Sequence, residues 1–109
     1  LVEVDRVRDA TIVRVREEID VLSAPQFESA LRSAEEGAPG RVLISLEDCP
    51  YCDSTFLNIV LRTVQRIGAR LAVVVPPGSL SRRIFEVTGL ATQPFVFDSV
   101  TEALEGSRA

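Results

Sequence analysis

Seven residues, CPYCDST at 49–55, place two kinds of chemistry on one short stretch of chain. Cys49 and Cys52 have the C-x-x-C spacing used by enzymes that exchange thiols and disulfides. Asp53, Ser54 and Thr55 read instead as the start of a helix that presents hydroxyl groups, the kind of group a kinase modifies. The rest of the composition narrows the choice. With no histidine in 109 residues, the usual general base, the usual zinc ligand and every Ser-His or Cys-His nucleophile are missing together. Two cysteines alone do not complete a four-ligand zinc site, so neither a metal nor a cofactor is expected.

A chain of 109 residues is expected to form one domain around one core. The formal net charge of -4 argues against nucleic acid, which calls for a basic face, and leaves protein as the expected partner. No apolar run reaches the roughly 20 residues that cross a bilayer, so membrane insertion is not expected. Without a signal-like start or a disulfide framework the chain reads as cytoplasmic. It contains no Met, not even at position 1, so its native start is expected to lie outside this sequence.

The elements that must position the 49–55 stretch follow from periodicity. Val2 to Val7 and Thr11 to Val15 alternate apolar and polar residues around Arg8, Asp9 and Ala10, which predicts a hairpin with one wet face. Ser23 and Gln26 form a capping box, with Pro25 in the first turn, for a helix carrying Phe27, Ala30, Leu31 and Ala34 and ended by Gly37, Pro39 and Gly40. RVLISL at 41–46 and LAVVV at 71–75 have the composition of central strands covered on both faces. Between them a helix is predicted from Ser54 to Ile67, with Leu57, Val60, Leu61, Val64 and Ile67 as its core stripe. A further helix over 79–88 carries Leu80, Ile84 and Val87 and ends at Gly89; a brief strand at 95–97 and a short helix at 99–104 follow. The order β-β-α-β-α-β-α-β-α describes a single-domain α/β fold with an open mixed sheet. In such sheets the loops after the carboxyl ends of strands form the binding edge, here 17–22 and 47–55.

That placement disfavours the thiol chemistry. A reactive C-x-x-C puts its first thiol at a helix N-terminus, whereas here Asp53 or Ser54 is the natural N-cap and both cysteines precede the helix. Glu47, Asp48 and Asp53 around the pair raise a thiol pKa. A glutaredoxin carries its motif after the first strand, and this one follows two strands, a helix and a third strand. Cys49 and Cys52 are therefore expected to pack a strand-to-helix turn. On a helical wheel Thr55, Ile59, Arg62 and Arg66 share one face opposite the stripe, which is expected to be exposed. Phe56 and Ile59 widen the apolar arc there, either as packing on the sheet edge or as docking contacts beside the hydroxyl.

Three pieces, in order and at fitting spacing, resemble the STAS domain, in particular the bacterial anti-sigma factor antagonists. They are EEID at 17–20, ISLEDCPYCDST at 44–55 and RRIFEVTGL at 82–90. The first is similar to the family's Gly-Glu-Leu-Asp before the first helix. The second is similar to its strand, acidic turn and Asp-Ser-Ser or Asp-Ser-Thr motif, and the third to its basic, Leu-Phe, then Gly-Leu pattern. The resemblance implies that Thr55 is the phosphate acceptor, preceded by Asp53 and Ser54, and that Asp20 is the acidic residue of the neighbouring loop. It implies a module that binds an anti-sigma factor that is also a serine/threonine kinase, frees a sigma factor, and is switched off when that kinase phosphorylates it. Asp20, Asp53, Ser54, Thr55, Phe56 and Ile59 are then the expected docking residues. Where the family often has Gly after the acceptor this chain has Phe56, which implies a reshaped docking surface. Two other readings accompany this one: a STAS domain that is a structural or sensor part of a larger signalling or transport complex, and a thiol oxidoreductase using Cys49 and Cys52.

Overall fold

The computed structural model of the chain describes residues 2–37 and 40–106. Pro39, predicted to help end the first helix, lies outside the described residues. β1 (Val2–Val7) and β2 (Ala10–Val15) form the hairpin, followed by α1 (Ala24–Gly37), β3 (Val42–Ser45), α2 (Ser54–Ile67), β4 (Leu71–Val74), α3 (Leu80–Val87), β5 (Val96–Phe97) and α4 (Val100–Glu105). Short 3-10 turns sit at Gly68–Arg70 and Leu90–Thr92. The sheet runs β1-β2-β3-β4-β5 in space as in sequence. β1 is antiparallel to β2, and the other neighbours are parallel. The expected open mixed sheet and its element order are therefore present.

Alternation along the strands sends side chains to two cores. Val13, Val15, Val42, Ile44, Leu71 and Val73 face α1, α2 and α3. Ile12, Leu43, Ala72 and Val74 face α4 through Ala103, Val100 and Leu104. This double cover corrects the wet face expected of the hairpin. β2 is buried almost throughout, Thr11 included, and the exposed residues fall on the edge strand β1. Among the described residues no helix is long and apolar enough to cross a membrane.

Two helices are rotated partway from the face their spacing predicts: Leu57 and Val60 of α2 are buried as expected, and Val64, Ile67 and Ile84 pack against the core, but the burial extends to other residues and leaves some of each stripe exposed. In α2 the inward residues are Phe56, Leu57, Ile59, Val60 and Thr63, and Leu61 is 40% exposed. The Thr63 hydroxyl donates to the Ile59 carbonyl at 2.8 Å, which satisfies it inside the packed face. In α3 the inward residues are Ser81 and Phe85, while Leu80 and Val87 are 64% and 81% exposed. Burying the larger Phe85 ring removes more apolar surface from water than burying Val87. Arg82 locks that rotation, its Nη1 donating to the Val75 carbonyl and to Asp98 at 2.7 Å each. Gly68, at φ +55, ends α2 in a conformation that side chains with a Cβ rarely adopt.

Candidate functional site

Parallel pairing puts the carboxyl ends of β2 and β3 at one end of the sheet, so the loops that follow them are neighbours. Two contacts latch them together. The Cys49 thiol donates to the Glu17 carbonyl at 3.7 Å, and Arg16 reaches Asp48 at 3.3 Å while also holding Glu3 at 3.1 Å. Ile19, wholly buried, anchors the first loop from beneath.

Asp20 organises that first loop. Its Oδ1 accepts from the Leu22 and Ser23 backbone N–H groups at 3.0 and 2.9 Å and from the Ser23 hydroxyl at 3.1 Å. These donors, Ser23 first, hold the Asp20 carboxyl below its ordinary pKa. The Ser23 hydroxyl in turn accepts from the Asp20 N–H at 3.0 Å. The serine of the expected capping box is thus engaged with Asp20, and α1 starts from this hydrogen-bonded turn.

In the second loop Asp53 is the N-cap of α2, its Oδ1 accepting from Thr55 N–H at 3.0 Å and Phe56 N–H at 3.4 Å. Ser54 is exposed and Thr55 half-buried, and neither hydroxyl hydrogen-bonds another described residue. Both stand over the first turn of a 14-residue helix, where backbone N–H groups and the dipole favour negative charge.

Phe56 and Ile59 do not belong to an exposed face. They are 0% and 2% exposed, and the Phe56 ring stacks on Phe27 of α1 with centroids 5.4 Å apart. Of the face of α2 expected to meet solvent, Arg62 and Arg66 are exposed and Thr55 half-buried, while Ile59 is buried in the core. Arg62 and Arg66 pair with Glu28 at 3.3 Å and Glu35 at 2.6 Å on α1. A wide apolar arc does not tell which of its edges a second helix will cover, and α1 covers the edge with Phe56. The expected docking role of these two side chains is corrected accordingly.

The thiols are packed and protonated. Cys49 is nearly buried and Cys52 wholly so, and both are free. Burial pushes the Cys49 pKa up and that of Cys52 up to about 12. Held that high by burial, the Cys52 thiol carries very little thiolate at neutral pH. Cys52, wholly buried and protonated, is therefore expected to react with iodoacetamide at least about tenfold more slowly in the folded chain than in urea, as thiol counting by mass spectrometry would register. Comparable rates in the two states would mean that the thiol is open to exchange chemistry. Among the described residues no group of three or more His, Cys, Asp or Glu is placed to hold a metal ion.

Sequence periodicity missed the apolar surface that does border these loops. Tyr51 lines a shallow groove with Leu80, Arg83, Ile84 and Val87 of α3. Val21 and Leu22, beside Asp20, are 77% and 91% exposed. The helical spacing of Leu80, Ile84 and Val87 was a visible signal, but it reads equally as core until Phe85 is known to point inward.

The STAS domain family model matches residues 2–103. The anti-sigma-F factor antagonist RsfB of Mycobacterium tuberculosis is 29% identical over 98 residues, 89% of this chain and 80% of that protein. The structure of an anti-sigma factor antagonist from Mycobacterium paratuberculosis superposes with a TM-score of 0.86 at 25% identity, covering 100% of this chain and 94% of that one. Bacillus SpoIIAA shares the fold at lower identity. Its unphosphorylated form superposes with a TM-score of 0.73 at 18% identity, covering 100% of both chains, and its phosphorylated form with 0.67 at 21%, covering 96% and 97%. A sheet of this order with helices on both faces, the Asp53-capped turn after β3 and a match spanning nearly the whole chain lead to one assignment: the chain belongs to the STAS domain family.

Proposed function

We propose that this chain, acting as one STAS domain over 1–109, docks an anti-sigma factor through the loop edge around Asp20, Asp53, Ser54 and Thr55, and that phosphorylation of Thr55 ends the docking. In that step a partner kinase transfers the γ-phosphoryl group of ATP to the Thr55 Oγ1, the hydroxyl proton leaves, and ADP is released. The domain is ligand and substrate, and the catalytic groups belong to the partner. The observation that carries this reading is the Thr55 hydroxyl, half-buried and without a hydrogen bond to another described residue, at the capped start of α2. The names of the relatives as anti-sigma factor antagonists support the partner class. With Phe56 and Ile59 inside the core, the apolar part of the docking area comes from Val21, Leu22 and Tyr51, which stand exposed on the same loops. The test is calorimetric titration of the chain with the anti-sigma factors of its own genome, before and after incubation with the kinase and ATP. Binding lost on modification, with the phosphate mapped to Thr55, is the expected result. Phosphate on Ser54 alone would reassign the switch.

Asp20 has two roles that substitutions separate. Asp20→Asn keeps an acceptor for the Leu22 and Ser23 N–H groups and removes the charge, so it is expected to melt close to wild type and bind the partner several-fold more weakly. Asp20→Ala removes the acceptor too and is expected to lower both melting temperature and affinity. If Asp20→Asn binds as wild type does while Asp20→Ala melts earlier, Asp20 only shapes the turn.

A further inference from the structure

At the opposite end of the sheet from the acceptor loop, where β3 and β4 begin, lies a cavity of about 440 Å³. Its walls are Val64, Ala69, Leu71, Phe95 and Phe97, with Arg41 among them. The volume falls in the range of roughly 300–1,000 Å³ common to small-molecule sites, and so does the character, an apolar surface with one charged group. The space exists because β5 is only two residues long and pairs with Val73 and Val74, so no strand lies beyond the first residues of β4.

Arg41 is placed as a recognition group. Its guanidinium lies over the Phe97 ring at 5.8 Å from the centroid, and Nη1 reaches the Ala103 carbonyl at 3.5 Å, a long contact. Gly106, at φ +71, brings the end of α4 against it so closely that a Cβ there would come within 2.8 Å of Nη2. Among the described residues, Arg14, Arg16, Arg62, Arg66 and Arg82 each pair with a carboxylate, and Arg41 does not. Arg6, Arg8, Arg32 and Arg83 also lack one, but they are exposed and hydrated, whereas Arg41 is half-buried beside an aromatic ring. A guanidinium held there keeps N–H donors that a planar carboxylate accepts in pairs.

We propose that this cavity binds a small amphipathic carboxylate, an alkanoate or phenylalkanoate, with its tail on Leu71, Val64 and Phe95 and its carboxylate on Arg41. A bare inorganic anion leaves the apolar walls unfilled, and a neutral hydrocarbon leaves the guanidinium donors unpaired. The site stands apart from the Thr55 edge and does not depend on the function proposed for it.

The test is amide chemical-shift mapping of the 109-residue chain with octanoate and with 3-phenylpropionate, and with octylamine as the cationic counter-probe. Saturable shifts at Val64, Gly68, Leu71, Phe95 and Gly106 are expected with both acids and none with the amine. Arg41→Gln is expected to weaken acid binding about tenfold or more. Because Arg41 also touches α4, a second variant guards against misfolding: Ala69→Trp, at an exposed position on the rim, is expected to block the acids with the fold unchanged. Absence of shifts, shifts clustered elsewhere, equal binding of octylamine, or affinity that survives both substitutions would each overturn the proposal.

Discussion

Thr55→Glu is expected to keep the wild-type fold and to bind the anti-sigma partner at least about tenfold more weakly than the unsubstituted chain. Stability is not what changes. Negative charge at Thr55 sits over the first turn of α2, where N–H groups and the dipole favour it by about 0.3–1 kcal/mol. Affinity changes because the same edge already carries Asp20, Asp48 and Asp53, of which Asp48 is the one paired with Arg16. A partner surface shaped for a neutral hydroxyl must then desolvate the added charge on docking, without a group placed to pair with it. About 1.4 kcal/mol of that cost is the tenfold. A phosphate, carrying up to about two charges, exceeds the carboxylate in effect. Thr55→Ala is expected to bind the partner and to resist phosphorylation. Calorimetric titration of the three proteins, with melting curves as the control on folding, gives the answer. A Thr55→Glu chain that binds as wild type does would remove Thr55 as the switch.

Phe56→Ala is expected to lower the unfolding free energy by about 3–5 kcal/mol, the cost of deleting a buried ring and leaving its cavity. Total stability of a domain this size is about 5–15 kcal/mol, so the variant stands near the limit of folding. The loss arises at the α1–α2 contact, where Phe56 stacks on Phe27 beside Ile59 and Val60. Phe56→Leu keeps most of the apolar volume and is expected to cost far less, so it allows partner binding to be measured on folded protein. Affinity close to wild type in Phe56→Leu is expected, since the side chain is buried in the core against Phe27. Urea unfolding of both variants measures the stabilities. A cost below about 1 kcal/mol for Phe56→Ala would mean that the ring is outside the core.

The family resemblance marked position 56 as a departure, a phenyl ring where glycine is common. Its consequence falls on the core. Asp53 caps α2 so that Thr55 and Phe56 both present their N–H groups to one carboxylate, yet their side chains diverge, Thr55 toward the loop edge and Phe56 under α1. The turn keeps Ser54 exposed and Thr55 half-buried, and the ring ties the start of α2 to α1.

Local chemistry was legible in the residues. The helix from Ser54, with Asp53 or Ser54 as its cap, the helix starting near Ser79, the short last helix after Ser99, and the central strands within 41–46 and 71–75 all follow from short-range hydrogen bonding and apolar runs. So did the packing of Cys49 and Cys52, because their acidic surroundings and their place before the helix are local facts. What only the tertiary structure decided is which face of each helix is inside. For α2 the apolar arc spans Phe56 to Ile67 and admits two rotations; Phe27, Glu28 and Glu35 of α1, some thirty residues away in sequence, select the one that buries Ile59 and exposes Leu61. For α3 the competition between Phe85 and the stripe of Leu80, Ile84 and Val87 is settled by how much surface each can bury against the sheet. Periodicity encodes that a helix has an apolar side; the direction of burial belongs to the neighbour that covers it, and that neighbour is brought there only by the fold.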